Sequence, residues 1–194
     1  MLLKSKELTR FGALIALSVV LIILAGIIET NTLFLLALAA FGVGIAVRET
    51  GLKGGGIYLA AAIFTALIAT PNKIYAMTYS SLCLYLYLTD LAHEWIAKEE
   101  RILHKHRFFQ TTLVAISAVF ALCLLALSEV LFVSGASPLD QLRPLVTQAL
   151  PNAPSYSLFG AFAILVALLL LIIHYAHNAF QVQVWERVRG RVWR

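Results

Sequence analysis

The sequence predicts an all-α, polytopic membrane fold on three observations. Of its 194 residues, 61% are hydrophobic and 13% charged, whereas soluble domains are nearer ~45–50% apolar. The mean hydropathy is +0.87. The apolar residues also run in long stretches, and about 20 helical residues cross a hydrocarbon core of about 30 Å. These stretches predict one domain of six transmembrane helices with both termini cytoplasmic.

The first predicted span covers 8–28 and ends at Glu29, Thr30 and Asn31. The basic segment MLLKSKELTR leads into it without a small-residue cleavage site, as expected of a retained span rather than a removed signal peptide. Span two, 32–47, is short and carries Gly42 and Gly44. The segment Arg48–Gly56, RETGLKGGG, then predicts a tight reversal into span three, 57–69, because glycine permits positive φ and close helix approach. It lacks the GxxxxGK[ST] spacing of a phosphate-binding loop. Span four covers 72–96 behind Pro71, span five 108–133 and span six 156–178, with a basic tail over 179–194. Cys83 and Cys123 lie inside apolar runs, where thiols behave as small hydrophobes.

Orientation follows from the distribution of basic residues, since short cytoplasmic loops carry the excess of Lys and Arg. With six crossings and a cytoplasmic N-terminus, all of the 15 Lys and Arg residues except Lys73 and Arg143 fall on the inner side. Trp95, Trp185 and Trp193 fall there too, as interfacial anchors do. The basic 98–107 loop and the tail predict attraction to anionic membrane lipids, with no nucleic-acid partner.

Span four carries most of the polar chemistry. At 100° per residue, Tyr75, Tyr79, Cys83, Leu86, Asp90, His93 and Glu94 share one face, which is expected to point into the bundle because a carboxylate in lipid is costly. Asp90 stands roughly 28 Å along the axis from Pro71 at 1.5 Å per residue, near the inner boundary. His174 and His177 on span six reach the same level. Asp90, His93, Glu94, His174 and His177 offer a His and carboxylate set suited to Zn, Fe or Mn. They also fit interfacial histidines and helix-end carboxylates paired with nearby arginines, the reading favoured by the low cost of ionisable residues at helix ends. No HExxH motif is present, and neither catalysis nor a cofactor is expected.

A second set lies at the outer level: Glu29 at the end of span one, Asn72, Lys73, Tyr75 and Tyr79 at the start of span four, Glu129 late in span five, and Arg143 in the following loop. Aromatic bodies with a few placed polar groups suit a small-molecule site. The same residues also fit ordinary loop polarity with a Lys73–Glu129 pair.

The opening ELTRFGALIALSVVLIIL, the glycine-rich turn after span two, the TPNK…Y run at Thr70–Tyr79 and six spans in a chain of this length together resemble the substrate-binding S components of energy-coupling-factor transporters. The resemblance implies a subunit of a bacterial cell membrane that captures a small micronutrient from outside. Separate ATPases and a coupling transmembrane subunit would supply the energy. It also implies a docking face for that coupling subunit on the first helix, at Gly12, Ala13 and Ala16. A membrane metalloenzyme built on the inner set, or a structural subunit of a membrane complex, are the alternatives.

Overall fold

The computed structural model describes residues 5–71, 73–98, 105–131, 155–185 and 187, and every regular element among them is helical. These elements are α1 (Ser5–Ile27), a 3-10 turn (Glu29–Asn31), α2 (Thr32–Ala69), α3 (Lys73–Lys98), α4 (Lys105–Leu131), α5 (Ser155–Ala179) and a π-helical turn (Phe180–Trp185). The chain divides into two compact units, Met1–Leu103 with His174–Arg194, and His104–Ile173.

In the first unit, α1 buries Phe11, Ser18, Ile22 and Ala25. Their spacing of three, four and seven makes one stripe along the helix. Its opposite side exposes Leu17, Val20 and Ile27, the last by 72%. The hydroxyl of Thr32 donates to the Ala25 carbonyl at 2.9 Å and fastens the turn into α2.

Helix α2 is broken at Gly51, whose φ of 75° and ψ of 178° lie where only glycine is comfortable. Its limbs, 32–50 and 52–69, fold back on each other. A straight helix would hold residues 42 and 58 about 24 Å apart, yet the Tyr58 hydroxyl lies against Gly42, and Val47 lies against Gly55. The expected reversal over Arg48–Gly56 thus occurs within that segment, narrowed to one residue. The turn is made at Gly51 alone, and Gly54, Gly55 and Gly56 are helical residues whose bare faces meet Thr50, Val47 and the Tyr87 hydroxyl. The limbs are therefore longer than the 32–47 and 57–69 spans expected, at about 27–28 Å each. The first limb is buried continuously from Ala39 to Ala46, because its alanines and glycines let neighbours approach on every side.

Helix α3 begins at Lys73, two residues after Pro71, and buries Ala76, Tyr79, Leu82, Cys83, Tyr85, Leu86, Thr89 and Ile96. The Tyr87 hydroxyl donates to the Leu52 carbonyl at 3.1 Å and holds α3 to the second limb of α2. Arg10 and Glu49 pair at 3.4 Å between α1 and the first limb. These contacts place successive limbs of α1, α2 and α3 antiparallel. In the second unit, α4 buries Leu113, Ser117 and Ala121, every fourth residue, and exposes Val114, Val119 and Leu122.

Three described helices are long and apolar enough to cross a membrane: Glu7–Ile27, Thr32–Ala69 and Gly160–Gln183. Helix α4 contributes the shorter apolar stretch Phe108–Leu124, and α3 is interrupted by its polar face. Ile57, Phe64 and Ile68 on α2 and Ile164, Leu165, Leu168 and Ile172 on α5 all face outward. Soluble monomers rarely display such broad apolar surface, so the exterior is compatible with a membrane protein.

Candidate functional site: a buried polar stripe

The polar face of α3 runs through the interior of the first unit. Tyr79, Cys83 and Leu86 are fully buried. Asp90 keeps a fifth of its side chain exposed (22%), and His93 at the next turn is exposed. From Tyr75 to His93 the stripe covers roughly 27 Å of helix axis, with partners on three other segments.

Midway along it, the Ser18 hydroxyl donates to the Ala39 carbonyl at 3.0 Å and stands 3.5 Å from the Tyr58 hydroxyl. Phe11 packs edge-on against the Tyr58 ring, with centroids 5.4 Å apart. The Tyr79 hydroxyl lies beside Cys83, Tyr58 and Ser18 but meets hydrogen-bond geometry with no described group. Leaving such a group dry costs about 1–3 kcal/mol, so this hydroxyl cluster marks a point where the core accepts polarity at the expense of stability.

The second polar centre joins α3 to the C-terminal segment. His177, with 1% of its side chain exposed, places Nε2 3.9 Å from Asp90 Oδ2. The same nitrogen lies 2.7 Å from the Gln181 amide nitrogen. With the amide nitrogen turned toward the ring, Gln181 donates to Nε2 and the ring hydrogen sits on Nδ1; with the amide turned over, Nε2 donates to its oxygen. Both arrangements leave Nδ1 of His177 and Oδ2 of Asp90 buried without a hydrogen bond to any described group. The Phe41 ring meets the His177 ring edge-on at 5.0 Å. One turn back, His174 Nε2 lies 3.3 Å from the Asn178 amide, and His174 interacts electrostatically with His177, Asp90 and His93.

Backbone geometry supports this centre. The helix changes to π form at Phe180–Trp185, where Gln181 sits; such π turns are frequent at functional sites. Across from it, any side chain at Gly44 would collide with Gln181 and His177. Glycine there is what lets the imidazole and the amide reach α2.

The structure separates the expected site residues by level. Lys73 and Tyr75 lie at the opposite end of α3 from Asp90. The Lys73 ammonium donates to the carbonyls of Leu67 (2.7 Å) and Thr70 (3.1 Å), capping the second limb of α2, and the Tyr75 ring covers Gly26. Tyr79 lies deeper, inside the hydroxyl cluster. Asn72, Arg143 and the side chains of Glu29 and Glu129 lie outside the described residues. Gly12, Ala13 and Ala16 are exposed on α1. Of the expected metal set, Asp90, His174 and His177 come together, with His93 nearby. Among the described residues, no group of three or more His, Cys, Asp or Glu side chains is arranged to hold a metal ion.

Gln181, Ser18 and Tyr58 were not singled out from the sequence, and Gly44 was noted there only as a small residue of span two. The i, i+4 spacing of His177 and Gln181 was visible there, and so was a lone serine in the first span. The partnership of Tyr58 and Gly44 with these groups depends on contacts between distant segments.

No protein family, no curated protein and no solved structure matches the chain.

Proposed function

We propose that the protein is a polytopic membrane subunit of the transport class. The observation that carries this is the polar stripe within an apolar exterior. Ionisable residues that face the interior of a membrane bundle mark solute or ion pathways, and Asp90 and His177 face inward at the inner end of this stripe. In this proposal all six helical segments cross a bacterial cell membrane, with the basic loop and tail on the cytoplasmic side. The subunit captures a small micronutrient at the outer end, where Lys73 and Tyr75 lie, and separate coupling and ATPase subunits supply energy. Gly12, Ala13 and Ala16 are the docking face: they are exposed, and a Cβ added at Gly12 would meet nothing within 4 Å.

Affinity purification of the full chain from bacterial membranes, followed by thermal-shift measurement against vitamins, tests the proposal. It expects a co-purifying membrane coupling subunit and ATPases, lost in a Gly12→Leu/Ala16→Leu double variant. It also expects a vitamin that stabilises the wild type and fails to stabilise Lys73→Ala. Purification without an ATPase, together with no stabilising vitamin, would replace this proposal with a structural subunit.

A further inference from the structure

Apart from any solute captured at the outer end, the interior of the first unit raises the question of what could move along the stripe. Packing sets the size. The Tyr58 hydroxyl fills the notch over Gly42, and Gln181 and His177 fill the one over Gly44. At these two notches side chains already occupy the space left by the missing Cβ atoms, so an organic solute passes there only by displacing them. The hydroxyl, thiol and imidazole groups along the stripe can nevertheless accept a hydrogen bond on one side and donate on the other, and a carboxyl does so once protonated.

We infer that this stripe is a proton path, running from His93 at one end of α3 through His174, Asp90 and His177 to Cys83 and Tyr79. Three observations support it independently of any micronutrient. First, the groups pass from an exposed histidine to side chains with essentially no exposure. Second, Oδ2 of Asp90, Nδ1 of His177 and the Tyr79 hydroxyl are buried with hydrogen-bonding capacity unused by any described group. Third, the 3.9 Å between Asp90 and His177 is a separation that one bridging water or a small rotation closes. Glu94, beside His93 on α3, is the remaining ionisable group on this face.

The transfer balances without any redox partner. A proton arriving at Asp90 forms an O–H bond. That bond breaks as an N–H bond forms on the facing nitrogen of His177, and the other ring nitrogen releases its hydrogen to the next acceptor. The hydroxyl and thiol groups pass the charge on by accepting one proton while donating another. Between Asp90 and Cys83, about 10 Å along the axis, the apolar Leu86 cannot carry a proton, so the transfer there runs over bridging waters, each accepting one proton while donating another.

The test uses the full chain reconstituted alone in liposomes of zwitterionic and anionic phospholipid, with potassium and a pH-sensitive dye inside. Valinomycin sets the interior negative, and acidification is followed by fluorescence. The expected result is faster acidification than in protein-free liposomes, without leakage of a trapped dye. Asp90→Asn and His177→Phe should return it to the protein-free rate, and Leu86→Asn should raise it. A wild-type rate equal to that of protein-free liposomes overturns the inference, as does dye leakage or an unchanged rate in both variants. Should those two variants fail to elute as monodisperse helical protein, Tyr79→Phe decides. Loss of acidification with that single hydroxyl supports the path, and an unchanged rate overturns it. Because no partner or vitamin is present, failure here leaves the docking and capture experiments standing on their own.

Discussion

Substituting alanine at two helical glycines, Gly44 and Gly12, isolates the packing of the C-terminal segment onto α2. In a helix interior, alanine is favoured over glycine by about 1 kcal/mol, since it loses less backbone entropy on folding. At Gly12 nothing lies within 4 Å of the added methyl, so the full gain is expected. At Gly44 the methyl meets the ring of His177 and the amide of Gln181, and overpacking of this kind costs about 1–3 kcal/mol. The Gln181 tip can swing away, but the His177 ring is held by Phe41. Gly44→Ala is therefore expected to range from neutral to about 2 kcal/mol destabilised, once the helix gain is subtracted from that cost. For a chain of this size, 1 kcal/mol shifts Tm by about 2–4 °C. In thermal unfolding of the detergent-solubilised protein, Gly12→Ala should rise by about that much while Gly44→Ala stays level or falls. Combining Gly44→Ala with His177→Ala removes part of the clash, giving a favourable coupling of about 0.5–3 kcal/mol in the double-mutant cycle. Equal stabilisation at both glycines, with no coupling to His177, would refute the docking of His177 and Gln181 over Gly44.

Other perturbations follow from single contacts. Gly51→Ala forces a Cβ into a glycine-only backbone conformation and should cost about 1–3 kcal/mol by thermal or denaturant unfolding; a gain in stability would mean that α2 does not turn there. Ser18→Ala removes the bond to the Ala39 carbonyl and should cost about 0.6 kcal/mol, the usual worth of a side-chain hydrogen bond between membrane helices, measured by unfolding in mixed micelles. A double-mutant cycle across Arg10 and Glu49 should give about 0.2–1 kcal/mol, because this pair is only partly buried, and the coupling should shrink with added salt. Lys73→Met uncaps the Leu67 and Thr70 carbonyls, so amide hydrogen exchange at Thr70, residue 73 and Ile74 should quicken while the rest of α2 keeps its protection.

Particular residues show how far the sequence could be read. The polar face of α3 was legible because 100° per residue fixes which side chains share a face whatever the neighbours are. Its burial at Tyr79, Cys83 and Leu86 agrees with the cost of turning such groups toward lipid. Distance along the chain likewise gave levels, and so Lys73 and Asp90 appear at opposite ends of one helix. The reversal in α2 was legible only as a region. A run of three glycines attracts the assignment of a turn, but the positive φ belongs to Gly51, and the run serves close packing against Thr50, Val47 and Tyr87. Composition cannot distinguish a glycine kept for its φ from one kept for its missing side chain.

The sequence by itself determined an all-helical, strongly apolar chain with the ionisable groups Asp90, His93 and Glu94 of α3 gathered on one face, because hydropathy and helical periodicity are local properties. Tertiary structure alone decided which groups meet. It seated the Tyr58 hydroxyl over Gly42 beside Ser18, and it brought His177 and Gln181 across Gly44 to Asp90. Those contacts join segments tens of residues apart, and they depend on which neighbour fills the space left by an absent Cβ.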